Sequence, residues 1–408
     1  MQEMIPNMLG TYGQWARDLI CPEDLPLSFL HPQWSDHKVW KSIARSKVLE
    51  LLAPPKTATM REARLIAAYQ FDGLEVEELA WNLPYGPETR AVFLKSSNHT
   101  RPLPGVIGLH DHGGIKYFGK QKILRTRSEI HPFLAAHQHE YYGGVAWANE
   151  LAKQGYGVLV HDVFPFESRK ILASELPAHV VQRMMSSPEA IKELTPEDVR
   201  SRDVLRNYDV PDEEPVEQIL AYNAFAAQHE DIIAKSLFSA GLTWPGVTLA
   251  EDLYALDYLC SRPDIDPTRI GCCGLSGGGL RTNYLAGLDD RIRCSVTAGF
   301  MTTWRDFVFQ TCFTHTWMIY IPLLPNFMDY PDILGMRVPL PSLVLATSDD
   351  PLFTREEVEH AGKKLEAIYA KAHAPEAFQL SWHEGPHRFD LPMQKEAFAW
   401  FDRWLKTA

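Results

Sequence analysis

The chain has 408 residues, 45% hydrophobic and 23% charged, a balance that excludes disorder over most of its length. A formal net charge of -12 argues against a nucleic-acid partner, because neutralising phosphates needs clustered Lys and Arg. Six cysteines (Cys21, Cys260, Cys272, Cys273, Cys294, Cys312) without regular spacing imply no disulfide framework, and length alone suggests roughly two or three domains.

Met1 to Ile20 has no basic start and no apolar run of signal-peptide length. The longest apolar run, Trp317 to Pro325, is too short to cross a bilayer. A soluble, cytoplasmic protein with no membrane partner is expected, and Asn98-His99-Thr100, a glycosylation sequon by pattern, reads as chance. Residues 1–70 are expected to form an N-terminal helical extension, with a helical period near Val39–Leu52. The catalytic domain is expected at 71–408. It opens with alternating apolar and charged residues over Asp72–Leu79, a half-exposed antiparallel strand, followed by a strand around Arg90–Leu94.

Short apolar strands then alternate with amphipathic helices, the pattern of a parallel sheet with crossover helices. Strands are expected at Val106–Leu109, Gly157–Val160, Ile270–Cys273, Cys294–Thr297, Leu343–Ala346 and Phe378–Trp382. Helices are expected near Val145–Gln154, Leu249–Cys260, Leu280–Leu288, Arg355–Lys371 and Met393–Leu405. Between Val160 and Leu249 lie roughly eighty residues with no strand signal, far beyond ordinary loop lengths. A helical insertion at about 170–245 is therefore expected, with helix starts at Thr195-Pro196-Glu197-Asp198 and Pro215. Its expected use is a lid over the site, with a homodimer contact as the alternative. Adjacent Cys272 and Cys273 should face opposite sides of one strand as reduced core thiols.

The chemistry centres on Ile270-Gly271-Cys272-Cys273-Gly274-Leu275-Ser276-Gly277-Gly278. A buried-type strand runs into a Gly-x-Ser-x-Gly turn and then a helix, which lifts the Ser276 hydroxyl clear of the sheet beside the first N–H groups of that helix. A phosphate loop would need a Lys before Ser or Thr, and a dinucleotide fingerprint would need Gly-x-Gly-x-x-Gly near the first strand; neither fits. A serine nucleophile needs a base and an acid that orients it. After the strand ending near Ala346 comes Thr347-Ser348-Asp349-Asp350-Pro351-Leu352-Phe353, and after Trp382 comes His383-Glu384-Gly385-Pro386-His387. Asp350 is favoured as the acid over Asp349, and His387, in a Gly-Pro turn, as the base over His383. Gly277 is the first oxyanion donor, and His112 or Gly113, in His110-Asp111-His112-Gly113-Gly114, supplies the second through a backbone N–H.

The nucleophile turn, the upstream His-Asp-His-Gly-Gly loop and the later Asp and His together resemble the α/β-hydrolase superfamily. Leu109–Gly114, Tyr141-Tyr142-Gly143-Gly144-Val145-Ala146-Trp147 and Asp264-Ile265-Asp266-Pro267-Thr268-Arg269-Ile270-Gly271 narrow the likeness. They resemble bacterial dienelactone-hydrolase-like and acetyl-xylan-esterase-like enzymes, relatives of prolyl-oligopeptidase catalytic domains. The resemblance covers about Asp72 to Leu405. It implies a doubly wound, mostly parallel sheet of the α/β-hydrolase fold and a serine esterase without a cofactor, acting on a short-chain or acetyl ester of a carbohydrate or small molecule. Two departures stand out: the loop reads His-Asp-His-Gly-Gly rather than His-Gly, and Ser276 stands where dienelactone hydrolases proper have cysteine. A peptidase or amidase of the same fold, or a non-catalytic binding member, are the competing readings.

Two further features have a plain reading beside a functional one. His110, His112, His131, His137, His139 and His161 invite a metal site, but no His-Glu-x-x-His or paired acidic motif accompanies them, so none is expected. Phe300, Trp304, Phe307, Phe309, Phe313, Trp317 and Tyr320 are expected in core or cap packing, and the alternative is an acyl or sugar pocket that Tyr141 and Tyr142 would help to line.

Overall fold

The sheet begins at a two-residue turn, Asp72-Gly73, where both residues have positive φ (51° and 78°). That is the backbone of a tight hairpin, and it pairs Phe71 with Leu74. The computed structural model describes residues 7–20, 24–57, 63–97, 102–185 and 214–406. Its strands are β1 (Arg64–Phe71), β2 (Leu74–Trp81), β3 (Thr89–Ser96), β4 (Leu103–Leu109), β5 (Gly157–His161), β6 (Ile265–Leu275), β7 (Ile292–Ala298), β8 (Ser342–Thr347) and β9 (Phe378–His383). They form one sheet in the order β1-β2-β3-β5-β4-β6-β7-β8-β9. The pairs from β1 to β5 are antiparallel, and every pair from β5 to β9 is parallel.

Helices cover both faces, as fully buried parallel strands require. One core joins α1 (His37–Leu52), α6 (Trp244–Ser261), α7 (Gly277–Leu288) and α8 (Arg355–Lys371) to the sheet through Trp40, Leu256, Leu285 and Leu365. The opposite core packs α3 (Trp147–Lys153) and α9 (Leu391–Phe401) through Trp147, Leu151 and Phe398. Cys272 belongs to the first core and Cys273 to the second, and burial pushes the Cys272 thiol up to about 12. A third, smaller core gathers Tyr117, Phe118 and Leu134 with Ile219, Tyr222 and Phe225 of α4 (Val216–Gln228).

Several expectations need correction. The end of the stretch read as helical, 1–70, is strand β1. It is an edge strand with both faces largely open, including Leu65 and Ile66, so it carries no alternation to read. Only the Asp-Gly turn betrays it, and that turn also moves the start of β2 to Leu74. Helix α2 (Pro132–Tyr142) is an addition, capped by the His131 imidazole, which accepts the Phe133 N–H at 3.1 Å. Helix α6 starts five residues before the expected Leu249, at Trp244, because Thr243 accepts the Gly246 N–H at 3.0 Å. The described part of 170–245 is helical, with Ala178–Met185, α4 and α5 (Glu230–Ser239). Thr195-Pro196-Glu197-Asp198, Cys21 and the Asn98 sequon lie outside the described residues. Among the described residues no helix is long and apolar enough to cross a membrane.

Candidate active site

Four loops meet at the carboxyl ends of the parallel strands: those after β4, β6, β8 and β9. Ser276 stands between β6 and α7 with φ 56° and ψ -118°. A non-glycine residue there costs on the order of 1–3 kcal/mol and persists only where its surroundings enforce it. They do: the Ser276 N–H donates to the Ala298 carbonyl (2.9 Å) and its carbonyl accepts the Leu280 N–H (2.8 Å). The flanking glycines serve proximity rather than torsional freedom. A Cβ on Gly278 would lie 2.1 Å from the Leu109 carbonyl oxygen, and one on Gly277 would lie 2.8 Å from the His112 nitrogen. Ser276 carries the strain, and its neighbours let β4 and its loop close against the turn.

After β8 and β9, His387 Nδ1 bonds Asp350 Oδ2 at 2.6 Å, both side chains being largely buried. The other Asp350 oxygen accepts the Leu352 N–H (2.9 Å), which fixes the carboxylate in its loop. His387 Nε2 is buried and has no hydrogen-bond partner among the described residues. It therefore holds an open position on the side away from Asp350. The discarded candidates face elsewhere: exposed Asp349 accepts the Ser348 hydroxyl (3.0 Å), and His383 Nε2 bonds Glu396 (2.8 Å).

The loop after β4 is held from below by Lys122, a residue that no sequence motif marks. Its buried ammonium donates to the carbonyls of Asp111 (2.8 Å) and His112 (3.0 Å). In a trans peptide the N–H points opposite to the C=O. Lys122 thus turns the N–H groups of His112 and Gly113 away from itself, and that of His112 lies beside Gly277. Burial lowers the Lys122 ammonium to about 8, with Asp111 opposing the shift. From the side, the His112 ring is fixed at both nitrogens. Nδ1 accepts the Gly114 N–H (3.1 Å), so Nε2 carries the proton and donates to Glu230 (2.7 Å). Burial favours this neutral ring by lowering the His112 pKa. Glu230, at the start of α5, also takes Lys116 and the Thr316 hydroxyl (2.7 Å). Burial pushes its carboxyl up, but His112 and Lys116 outweigh that and hold it far below the usual carboxylate range. Glu230 was hidden in the insertion, where no motif marked it.

Ser276, Gly277, His387, His112, Gly113 and Gly114 line one cavity of about 220 Å³. Thr314, His315 and Thr316 line it as well, with Phe300, Tyr141 and Leu352. Among the described residues, nothing from 170–245 lines it; the described part of the insertion reaches the site through Glu230, which bonds His112 and Thr316, and residues 186–213, where the rest of the expected lid falls, lie outside the described residues. The aromatic run divides. Phe300 borders the cavity, Trp304, Phe307 and Phe309 are buried, and Phe313 is exposed. Tyr141 lines the cavity, whereas buried Tyr142 donates to Asp111. Three of the histidines weighed for metal are bonded within the protein: His137 to Asp111 (3.2 Å), His161 to Asp252 (3.0 Å) and His131 to the Glu214 carbonyl (2.7 Å).

Residues 239–407, with Ser276, Asp350 and His387 among them, match the model of the Prolyl oligopeptidase family. Hydrolase YtaP of Bacillus subtilis (strain 168), so named provisionally, is 25% identical over 331 residues, covering 81% of this chain and 88% of that one. A structure assigned as an acetyl xylan esterase from Bacteroides fragilis NCTC 9343 matches with TM-score 0.61 and 16% identity, over 94% of this chain and 84% of that one. A glucuronoyl esterase from Solibacter usitatus matches with TM-score 0.55 and 12% identity, over 93% and 97%. At such identities the structures speak to the fold, and the family match adds support for a hydrolase. The chain has the α/β-hydrolase fold.

Proposed function

We propose that the chain is a serine esterase that cleaves a short-chain or acetyl ester of a carbohydrate or small molecule through an acyl-enzyme. The observation that carries this is the Asp350–His387 pair, whose unpartnered Nε2 borders the same cavity as Ser276. Ser276 Oγ attacks the ester carbonyl as His387 Nε2 takes its proton. Asp350 holds the ring in the Nδ1–H tautomer and stabilises the imidazolium. The N–H groups of Gly277 and His112 receive the oxyanion. His387 then gives its proton to the departing alcohol, accepts one from water, and the resulting attack frees the acid and restores Ser276. The esterase names of the structural neighbours favour an alcohol over an amine leaving group.

Replacing Ser276 with Ala should lower kcat on phenyl acetate by roughly 10⁴-fold or more without unfolding the protein. Undiminished turnover would eliminate Ser276 as nucleophile. The match to the Prolyl oligopeptidase family favours a second reading, a peptidase. Matched acetyl ester and anilide substrates separate the two, and faster anilide cleavage would select the peptidase.

A further inference from the structure

One wall of the cavity is three consecutive residues whose side-chain hydrogen-bond donors are all spent on the protein. The Thr314 hydroxyl donates to the Thr311 carbonyl at 2.8 Å. The Thr316 hydroxyl donates to the Glu230 carboxylate at 2.7 Å. His315 Nε2 lies 2.8 Å from the Leu352 carbonyl, which can only accept, so Nε2 holds the ring proton and Nδ1 is a bare acceptor. The ring is packed among Phe307 and Phe353, and burial lowers its pKa to about 4, so it stays neutral near pH 7. Each hydroxyl oxygen keeps a lone pair. Thr316 uses one on the Met318 N–H at 3.3 Å, and a hydroxyl oxygen has two. Among the described residues, no Lys or Arg lines this cavity. Tyr141, which also lines the cavity, has its hydroxyl beside the Glu140 carboxylate.

We propose that Thr314, His315 and Thr316 form an acceptor ledge that selects esters carrying hydroxyl groups next to the scissile bond. The proposal rests on the esterase reading and specifies which chemistry its cavity accepts. A hydroxyl supplies the proton that the ledge lacks. A methyl ether or a carboxylate supplies only further lone pairs, leaving acceptors facing acceptors without water between them. A site built to bond a substrate hydroxyl rejects the analogue lacking it because its own polar groups are left unpaired. Carboxylate-bearing substrates meet the further obstacle that no cation faces them.

Two matched pairs test the ledge, one on each side of the ester: glycerol monoacetate against its di-O-methyl ether, and phenyl glycolate against phenyl methoxyacetate. Wild type should favour the hydroxylated member of at least one pair by about 10-fold or more in kcat/KM. Phenyl succinate, carrying a free carboxylate, should be cleaved more slowly than phenyl glycolate. In Thr314→Val and His315→Phe the preference should fall several-fold each and approach unity when they are combined. The ratio is taken on a single variant, so a loss of activity common to both substrates cancels. Equal rates within both pairs in wild type, an unchanged ratio in the variants, or efficient cleavage of phenyl succinate would each overturn the ledge. The hydroxylated members separate the two readings: if wild type cleaves neither glycerol monoacetate nor phenyl glycolate, the esterase assignment falls and the ledge with it. If they are cleaved without discrimination in the pairs, only the ledge falls.

Discussion

The two walls of the cavity are built by different means. On one side, backbone is pressed against backbone: Gly277 and Gly278 touch the loop and end of β4, and Lys122 pins two carbonyls from beneath. A Cβ at either glycine would collide with that loop or strand end. On the other side, Thr314–Thr316 lies between short helical turns and is placed by single side-chain bonds to Thr311, Leu352 and Glu230. The contrast teaches that the reacting atoms are held by close packing, whereas the surface that meets the rest of the substrate is held by replaceable hydrogen bonds. Glu230 joins the two, touching His112 on one wall and Thr316 on the other.

This contrast can be broken at its strongest point first. Asp350→Asn should reduce kcat about 10⁴-fold, since the amide favours the wrong imidazole tautomer, while Asp349→Asn should stay within about twofold of wild type. Steady-state kinetics on phenyl acetate decide it, and the reverse ranking would move the acid to Asp349. At the junction, Glu230→Gln keeps the shape but removes the charge that Lys116 and His112 oppose. A fall of about 10- to 100-fold in kcat with KM little changed is expected, somewhat less than losing one oxyanion donor. A rise confined to KM would mean that Glu230 serves only the ledge.

The smallest effect concerns stability. The folded His315 pKa of about 4 lies below the ordinary value of 6.5, so between these values the unfolded chain binds more protons than the folded one. Stability therefore rises with pH through this window and is lost as pH falls from about 6.5 to 4. Thermal melts of His315→Phe across it should show a shallower slope than wild type, and parallel slopes would show that the ring is not held neutral.

Much of the parallel sheet was legible because its strands are short, apolar and separated by periodic helices. The candidate triad was legible for a related reason. Ser276, Asp350 and His387 each follow a strand at the same edge, so locating the strands nearly locates the residues. The edge strand β1 was not, since a strand open on both faces has no burial to write into its sequence, and its Asp-Gly turn was read as part of a strand. Lys122, Glu230 and Thr314–Thr316 left no signal for another reason: a lysine bonded to carbonyls looks, in sequence, like any lysine. Phe313, grouped with its aromatic neighbours, is 75% exposed, because a short helical turn rotates it away from the core that Phe307 and Phe309 enter.

The sequence by itself determined the fold class, the places of the parallel strands and the order of the candidate nucleophile, acid and base, because local periodicity and glycine spacing are written residue by residue. Only the tertiary structure decided which backbone amide stands beside Gly277, which wall borders the cavity and which proton each histidine keeps. Those depend on partners more than a hundred residues away, such as Glu230 for His112, and hydrogen-bond pairing across such a distance has no periodicity to read.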